Sequence, residues 1–215
     1  LAHISQDENM LEAFRNGEDI HKQAASKVLG IPIDAVTKEQ RSSAKAVNFG
    51  ILYGISGFGL AEDLGIDFKS AKKYIDSYLD TYPGIRKYRE EVIEDAKEKG
   101  YVKTIMNRKR VIEELKNQNY LIRQQGERIA LNTPVQGSSA DILKKAMIEI
   151  YNEFKEKNIK SKMLIQVHDE LVFNVLNSEL DTVKEIVKRI MENTYTLNVP
   201  LVVDIEVGSD WYDAK

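Results

Sequence analysis

Cysteine is absent from the 215-residue chain. That absence removes disulfide frameworks, Cys-ligated zinc and thiol nucleophiles together, and it fits a reducing compartment. No apolar run approaches the roughly 18 residues that span a bilayer, and the N-terminus has no basic-then-apolar leader. Charge of one sign is lacking too. Thirty-four acids against 31 Lys and Arg leave a formal charge of −3, so whole-chain electrostatics favour no polyanionic partner and any nucleic-acid site must be a local patch. What is present is the balance of a chain that buries a core: 42% hydrophobic and 30% charged residues, which excludes disorder, collagen and low complexity. The expectation is a soluble, intracellular protein of one or two domains. It opens at Leu1 without a methionine, as a piece of a longer polypeptide would.

Periodicity predicts helices first and strands late. Ala2 to Gly17 reads as one polar helix, and Ile20 to Gly30 as a second that ends at its glycine. Thr37 is the expected N-cap of a long helix running to Tyr53 and stopping near Gly54. Ile55 to Ile66, with Gly57, Gly59 and Gly65, is expected to be a turn-rich connector. Ser70 to Tyr82 and Arg86 to Lys99 read as two helices separated by Pro83-Gly84 and closed by Gly100. Lys97 to Arg110 is a basic island in an acidic chain. Asn117 to Leu131 is helical, Pro134 to Gly137 interrupts, and Ser138 to Asn158 resumes. Period-two alternation in Met163, Ile165, Val167 and in Leu171, Phe173, Val175 gives a hairpin with His168-Asp169 at its tip. Asp181 to Asn193 follows as a helix and Leu201 to Val207 as a last strand. This order of elements predicts an α+β fold.

Three constellations carry chemistry. Arg41, Lys45, Phe49 and Tyr53 fall at successive i+4 spacings, which on a helix makes a ridge about 18 Å long, two cations followed by two rings. Arg and Lys suit phosphate and aromatic rings suit a base. Spacing alone fits equally well two core aromatics with solvated cations. At the hairpin tip, His168, Asp169 and Glu170 place adjacent carboxylates between apolar strands. Such carboxylates invite magnesium, which takes one or two of them and completes its shell with water and phosphates. A metal-dependent phosphohydrolase would need further His and Asp ligands, and only His3 and His21 remain. A plain polar turn is the bland alternative. Finally, Arg128, Asn132 and Gln136 form an i+4 row of hydrogen-bond donors suited to a minor groove, although Pro134 sits inside it.

Taken together, these segments resemble the family A DNA polymerases of the DNA polymerase I type. Gln40-Arg41-Ser42-Ser43-Ala44-Lys45-Ala46-Val47-Asn48-Phe49-Gly50-Ile51-Leu52-Tyr53-Gly54 is similar to the fingers-helix motif R-x-x-x-K-x-x-x-F-G-x-x-Y-G. Gln166-Val167-His168-Asp169-Glu170 is similar to the palm motif V-H-D-E. Between them, Glu127-Arg128 through Asn132, Pro134-Val135-Gln136-Gly137 and Ala140-Asp141 resemble the joining stretch, and Gly208-Ser209-Asp210-Trp211 resembles the family's C-terminus.

The resemblance implies an incomplete right-hand polymerase fold: a palm-side helix at 1–19, a helical fingers subdomain at 20–116, and a palm subdomain with the catalytic hairpin at 117–215. It implies template-directed DNA synthesis in replication or repair, with primer-template DNA and dNTP as partners, no membrane, and a cytoplasmic, nucleoid-associated location. Arg41 and Lys45, with His21 in support, would hold the triphosphate. Phe49 and Tyr53 would stack near the incoming base pair, a phenylalanine at 49 implying discrimination against dideoxynucleotides. Asp169, with Glu170 beside it, would bind two catalytic Mg2+ ions. Arg128, Asn132, Gln136 and His168 would contact the duplex. Three departures accompany the match. The family's other metal-binding aspartate lies in a strand motif, D-Y-S-Q-I-E-L-R, just ahead of the L-A-H that opens this chain. That motif is missing, as is the thumb, so the expectation is a palm-and-fingers fragment inactive alone; a non-catalytic DNA-binding relative and one half of a split polymerase are the alternatives. Ser42 stands where many members carry a second arginine, and the basic run Arg108-Lys109-Arg110 lacks a proline soon after it.

Overall fold

A computed structural model of the chain describes residues 1–214. Short polar side chains decide where its helices begin. Asp7, only 1% exposed, accepts a hydrogen bond from the Met10 N–H at 3.0 Å and so starts a helix of its own. The stretch expected as one N-terminal helix is therefore two, α1 (Ala2–Ser5) and α2 (Glu8–Arg15), divided at Gln6 with φ of 50°. Helix α3 (Ile20–Leu29) begins where the Asp19 carboxylate accepts the His21 and Lys22 N–H groups, and it ends at Gly30. Thr37 and Gln40 close a reciprocal capping box at the start of α4 (Lys38–Leu52). Ala44, Val47, Asn48 and Ile51 form the buried stripe of α4 at i, i+3, i+4 and i+7. Full burial of a Val or Ile contributes about 1.5–3 kcal/mol.

The glycine-rich stretch expected as a connector is instead a helix, α5 (Gly57–Leu64). Ser56 caps it by accepting the Gly59 N–H, Leu60 is buried, and Phe58 stacks on Phe68 with ring centroids 4.3 Å apart. Tertiary contact thus outweighs the low helix propensity of glycine. A Cβ on Gly57 would lie 2.9 Å from Phe68 Cε2, so this glycine permits the approach. Helices α6 (Phe68–Thr81) and α7 (Pro83–Lys99) follow almost without a gap, Pro83 occupying the first turn of α7 where its missing N–H costs nothing. The second Asp7 oxygen accepts the Gly84 N–H at 2.7 Å and ties the start of α2 to the start of α7.

The basic island forms an antiparallel hairpin that periodicity did not reveal, β1 (Tyr101–Lys103) with β2 (Lys109–Val111). Val102, Ile112 and Leu115 join Ala96 and Ala130 in one core cluster. The last residue of that cluster belongs to α8 (Tyr120–Glu156), 37 residues long with Pro134 inside it. The interruption expected at Pro134 to Gly137 does not occur. Ala130, Leu131 and Thr133 are buried around the proline, and the Tyr88 hydroxyl donates to the Leu131 carbonyl at 2.8 Å, so packing and a side-chain donor hold the helix through the residue that lacks an N–H.

The chain divides into two compact units, Leu1–Gly137 and the residues from Ser138 on, and α8 enters both. In the second unit, Ala146, Ile150 and Phe154 of α8 pack against Val183, Ile186, Val187 and Ile190 of α9 (Leu180–Asn193). Across this core lies the antiparallel pair β3 (Lys162–Val167) and β4 (Glu170–Asn174). A bulge between Met163 and Ile165 changes which residues share a face. Met163 pairs with Phe173, and both pack on the core. Beyond the bulge Gln166 pairs with core-packed Leu171, while Ile165 and Val167 pair with Val172 and Glu170 on the opposite face. The expected single stripe of Met163, Ile165 and Val167 is thereby broken. Leu201 to Val207 is not a strand: the Val203 N–H is taken by the Glu192 carboxylate at 3.1 Å, and without ladder partners an alternating pattern makes no sheet. The fold is α+β, mostly helical with two small antiparallel hairpins among the described residues. No helix among them is long and apolar enough to cross a membrane.

Candidate functional site

Because the stripe Ala44, Val47, Asn48 and Ile51 faces the core of the first unit, the row Arg41, Lys45, Phe49 and Tyr53 is turned outward. Phe49 is 40% exposed and Tyr53 37%, so neither ring is a core residue. They stack on one another with centroids 6.0 Å apart and planes 24° from parallel. His21, from the first turn of α3, meets Phe49 at 5.8 Å. Three rings from two helices thus run in sequence beside two cations.

The charges around those rings are arranged rather than scattered. Arg41 Nε donates to Asp19 Oδ2 at 2.5 Å, and the other Asp19 oxygen caps α3. Burial pushes the Asp19 carboxyl up, but the Arg41 hydrogen bond, the Lys22 N–H and the Arg41 charge together hold it below the ordinary range. His21 is lowered, first by burial and then by the charges of Arg41 and Lys45, with Asp19 opposing. The neutral form of its imidazole is thereby favoured. The Asn48 side-chain amide lies 3.1 Å from His21 Nδ1. At the far end of the row, Gly54 adopts φ of 75°, and a Cβ there would sit 3.2 Å from both Arg128 Cγ and Leu131 Cδ1. The left-handed turn and the close approach both require glycine, and they set Arg128 of α8 beside the end of α4. The half-buried Arg89 guanidinium donates to the Ile51 carbonyl and holds that same end.

Of the α8 row, Arg128 and Gln136 are exposed and Asn132 is half-buried with its Oδ1 buried and without a hydrogen-bond partner. An unmet buried acceptor costs about 1–3 kcal/mol. Proline does not divide the row, since α8 is continuous.

In the second unit, Val167 pairs with Glu170, leaving His168 and Asp169 as a two-residue loop. His168 has φ of 53°, a conformation costing a non-glycine residue roughly 1–2 kcal/mol. Gln166 Nε2 braces it by donating to the His168 carbonyl at 2.9 Å. Strain held in place in this manner is a mark of functional turns. His168, Asp169 and Glu170 are all exposed. Among the described residues no group of three or more His, Asp or Glu is gathered so as to hold a metal ion. The donor chemistry of the Asp169-Glu170 pair nevertheless fits magnesium, a hard cation that takes one or two carboxylates with water and phosphate oxygens.

Sequence inspection singled out His21 and the α4 row, and the structure brings them together with Arg128. Asp19, Asn48 and Arg89 were missed. Asp19 carried a signal, an acid two residues before a helical histidine in N-cap position. Asn48 carried a weaker one, an amide in a stripe otherwise made of Ala44, Val47 and Ile51. Arg89 carried none, since its partner is a backbone carbonyl 38 residues away.

These features have counterparts in known proteins. The model for DNA polymerase family A matches residues 1–213. DNA polymerase I of Caldicellulosiruptor bescii is 51% identical over 215 residues, all of this chain and 25% of that relative, and DNA polymerase I of Bacillus subtilis is 50% identical over 215 residues, 24% of its length. The chain thus spans about a quarter of the length of the curated relatives it matches. A solved structure, the POL domain of Pol1 from M. smegmatis in complex with DNA primer-template and dNTP, is similar at a TM-score of 0.95 and 42% identity, covering 99% of this chain and 38% of that one. A family match from the first residue to the 213th, joined to relatives half identical over the whole chain, leaves one assignment: this chain belongs to DNA polymerase family A.

Proposed function

We propose that the chain supplies the fingers, 20–116, and part of the palm, 1–19 and 117–215, of a DNA-directed DNA polymerase that transfers a nucleotidyl group from a dNTP to a primer 3′-hydroxyl. The observation that carries this is the outward row on α4. Two cations and two stacked, half-exposed rings, joined by His21, match a triphosphate at one end and a base at the other. The similar POL domain named as a complex with primer-template and dNTP supports it.

In this proposal Arg41 and Lys45 neutralise the triphosphate, the guanidinium offering a planar fork and the ammonium a mobile point charge. His21 donates a hydrogen bond to a phosphate oxygen. Phe49 and Tyr53 stack near the incoming base pair, where a flat ring tolerates every base. Arg128, Asn132, Gln136 and His168 contact the primer-template duplex, the first three as donors able to read minor-groove acceptors common to all base pairs. Asp169, with Glu170 beside it, would hold magnesium, and the chemistry that ion would supply there is activation of the primer hydroxyl and charge stabilisation at the leaving pyrophosphate. Closure of α4 over a correct pair makes these contacts depend on pairing, a form of induced fit.

The test is magnesium-dependent primer extension by the full-length polypeptide that contains this chain, beside its Asp169→Ala variant. Extension by the parent and loss of at least 1,000-fold in the variant, with duplex binding retained, is the expected result; about 4 kcal/mol of transition-state stabilisation corresponds to that factor. Extension by the variant at the parental rate would overturn the role of Asp169. No extension by the parent would overturn the polymerase proposal itself.

A further inference from the structure

Asn48 is the one polar residue in the buried stripe of α4, 7% exposed among Ala44, Val47 and Ile51. A side chain there purely for packing would be apolar, since a buried amide without full hydrogen bonding costs stability. Its hydrogen-bond partner is His21 Nδ1 at 3.1 Å, and its Oδ1 is buried with no partner. We infer that Asn48 is a positioning residue that holds the neutral His21 ring in the tautomer with its proton on Nε2, so that an N–H is presented to phosphate. The inference rests on the nucleotide role proposed for His21.

The two orientations of the amide are not equivalent. With the amide nitrogen toward the ring, Nδ1 accepts, and one N–H and one carbonyl remain unmet. With the amide reversed, Nδ1 must carry a proton and donate to Oδ1, and both N–H groups of Asn48 remain unmet in a buried place. Unmet carbonyl capacity is tolerated better than orphaned N–H groups, which selects the first orientation. In a neutral imidazole whose Nδ1 accepts, the proton is on Nε2. The consequence is chemical. A phosphate oxygen is attracted by an Nε2–H and repelled by a lone pair in its place, so the wrong tautomer would turn His21 against the ligand. Phe49 packs on the ring, and the Asp19 carboxylate fixes the His21 backbone by accepting its N–H at 3.1 Å. The amide of Asn48 then acts on ring protonation within an already placed ring.

Ring-nitrogen NMR on the chain labelled with 15N-histidine reads the tautomer directly, and with three histidines in the sequence assignment by single substitution is simple. The expected spectrum has a His21 Nδ1 of unprotonated, pyridine-like type and an Nε2 of protonated, pyrrole-like type. Asn48→Asp, whose carboxylate only accepts, is expected to reverse the pattern. Asn48→Leu, close in volume, is expected to give a mixture of tautomers and to bind inorganic tripolyphosphate more weakly by the share of the wrong tautomer, about twofold for an even mixture. A parent ring protonated on Nδ1 would overturn the inference even if neither variant folds. So would an Asn48→Leu variant that keeps both the parental tautomer and the parental affinity. If the parent shows the Nε2–H tautomer but its ring does not respond to tripolyphosphate, the control of the ring by Asn48 stands and the phosphate role of His21 falls.

Discussion

Asp19 does two jobs with one carboxylate, and the two can be separated. One oxygen caps α3 and the other pairs with Arg41. Asparagine keeps the capping ability, because it ranks with aspartate at N-cap positions, but it lacks the charge. Asp19→Asn should therefore lower stability at neutral pH without unravelling α3. The sign of its pH dependence follows from the lowered native value. As pH falls, the unfolded chain takes up the proton first, so the contribution of Asp19 is complete above about pH 4 and is lost as pH drops through the lower native value. Thermal unfolding of the parent and the variant across acidic pH should show a gap that is constant above about pH 4 and closes below it. A gap that widens on acidification would show that Asp19 is not held ionised by Arg41. The same pairing bears on function, since Arg41 must exchange the Asp19 carboxylate for a phosphate if it binds one.

Helix boundaries were legible wherever a cap was local in sequence. Thr37 with Gln40, and the glycines at positions 30 and 100, read correctly because a cap and its partners lie within five residues. Asp7 is a local cap as well, yet its effect was hidden because its second bond is to Gly84, 77 residues away. Asp7→Ala removes an acceptor from two N–H groups at once, Met10 and Gly84. At about 1–2 kcal/mol for each, the expected loss is about 2–4 kcal/mol, measured by urea unfolding; a loss under about 0.5 kcal/mol, the range of an ordinary surface change, would show that α1 and α2 do not depend on it. Features decided by distant contact could not be read. Pro134 stays helical because Tyr88 and buried neighbours support it, α5 forms because Phe58 meets Phe68, and Leu201 to Val207 has the alternation of a strand without a strand to pair with. The bulge at Met163/Ile165 likewise reassigns faces that period two alone puts together. The outward row Arg41, Lys45, Phe49 and Tyr53 was legible because its residues sit at fixed i+4 spacings along one element, whereas Asp19, Asn48 and Arg89 join it through contacts between elements.

At the scale of the whole molecule, charge and ligand number limit what 215 residues can do. With a formal charge of −3, long-range attraction to DNA is not a property of the chain as a whole, and under the proposed function duplex affinity would have to come from local donors such as Arg128 and Gln136. Two magnesium ions require about six oxygen ligands each, whereas the hairpin tip offers one adjacent pair, Asp169 and Glu170, and no larger cluster of His, Asp or Glu is gathered among the described residues. Water and triphosphate oxygens fill part of the deficit, but they do not fix two ions in relation to a primer terminus. Under the proposed function further carboxylates would have to come from outside these 215 residues, and the curated relatives are about four times the length of this chain. Primer extension should therefore be undetectable with the 215 residues alone and present with the full-length polypeptide, at equal magnesium and dNTP. Extension by the short chain at even a hundredth of the full-length rate would mean that its own carboxylates suffice to complete the metal site, and the division of labour proposed here would have to be abandoned.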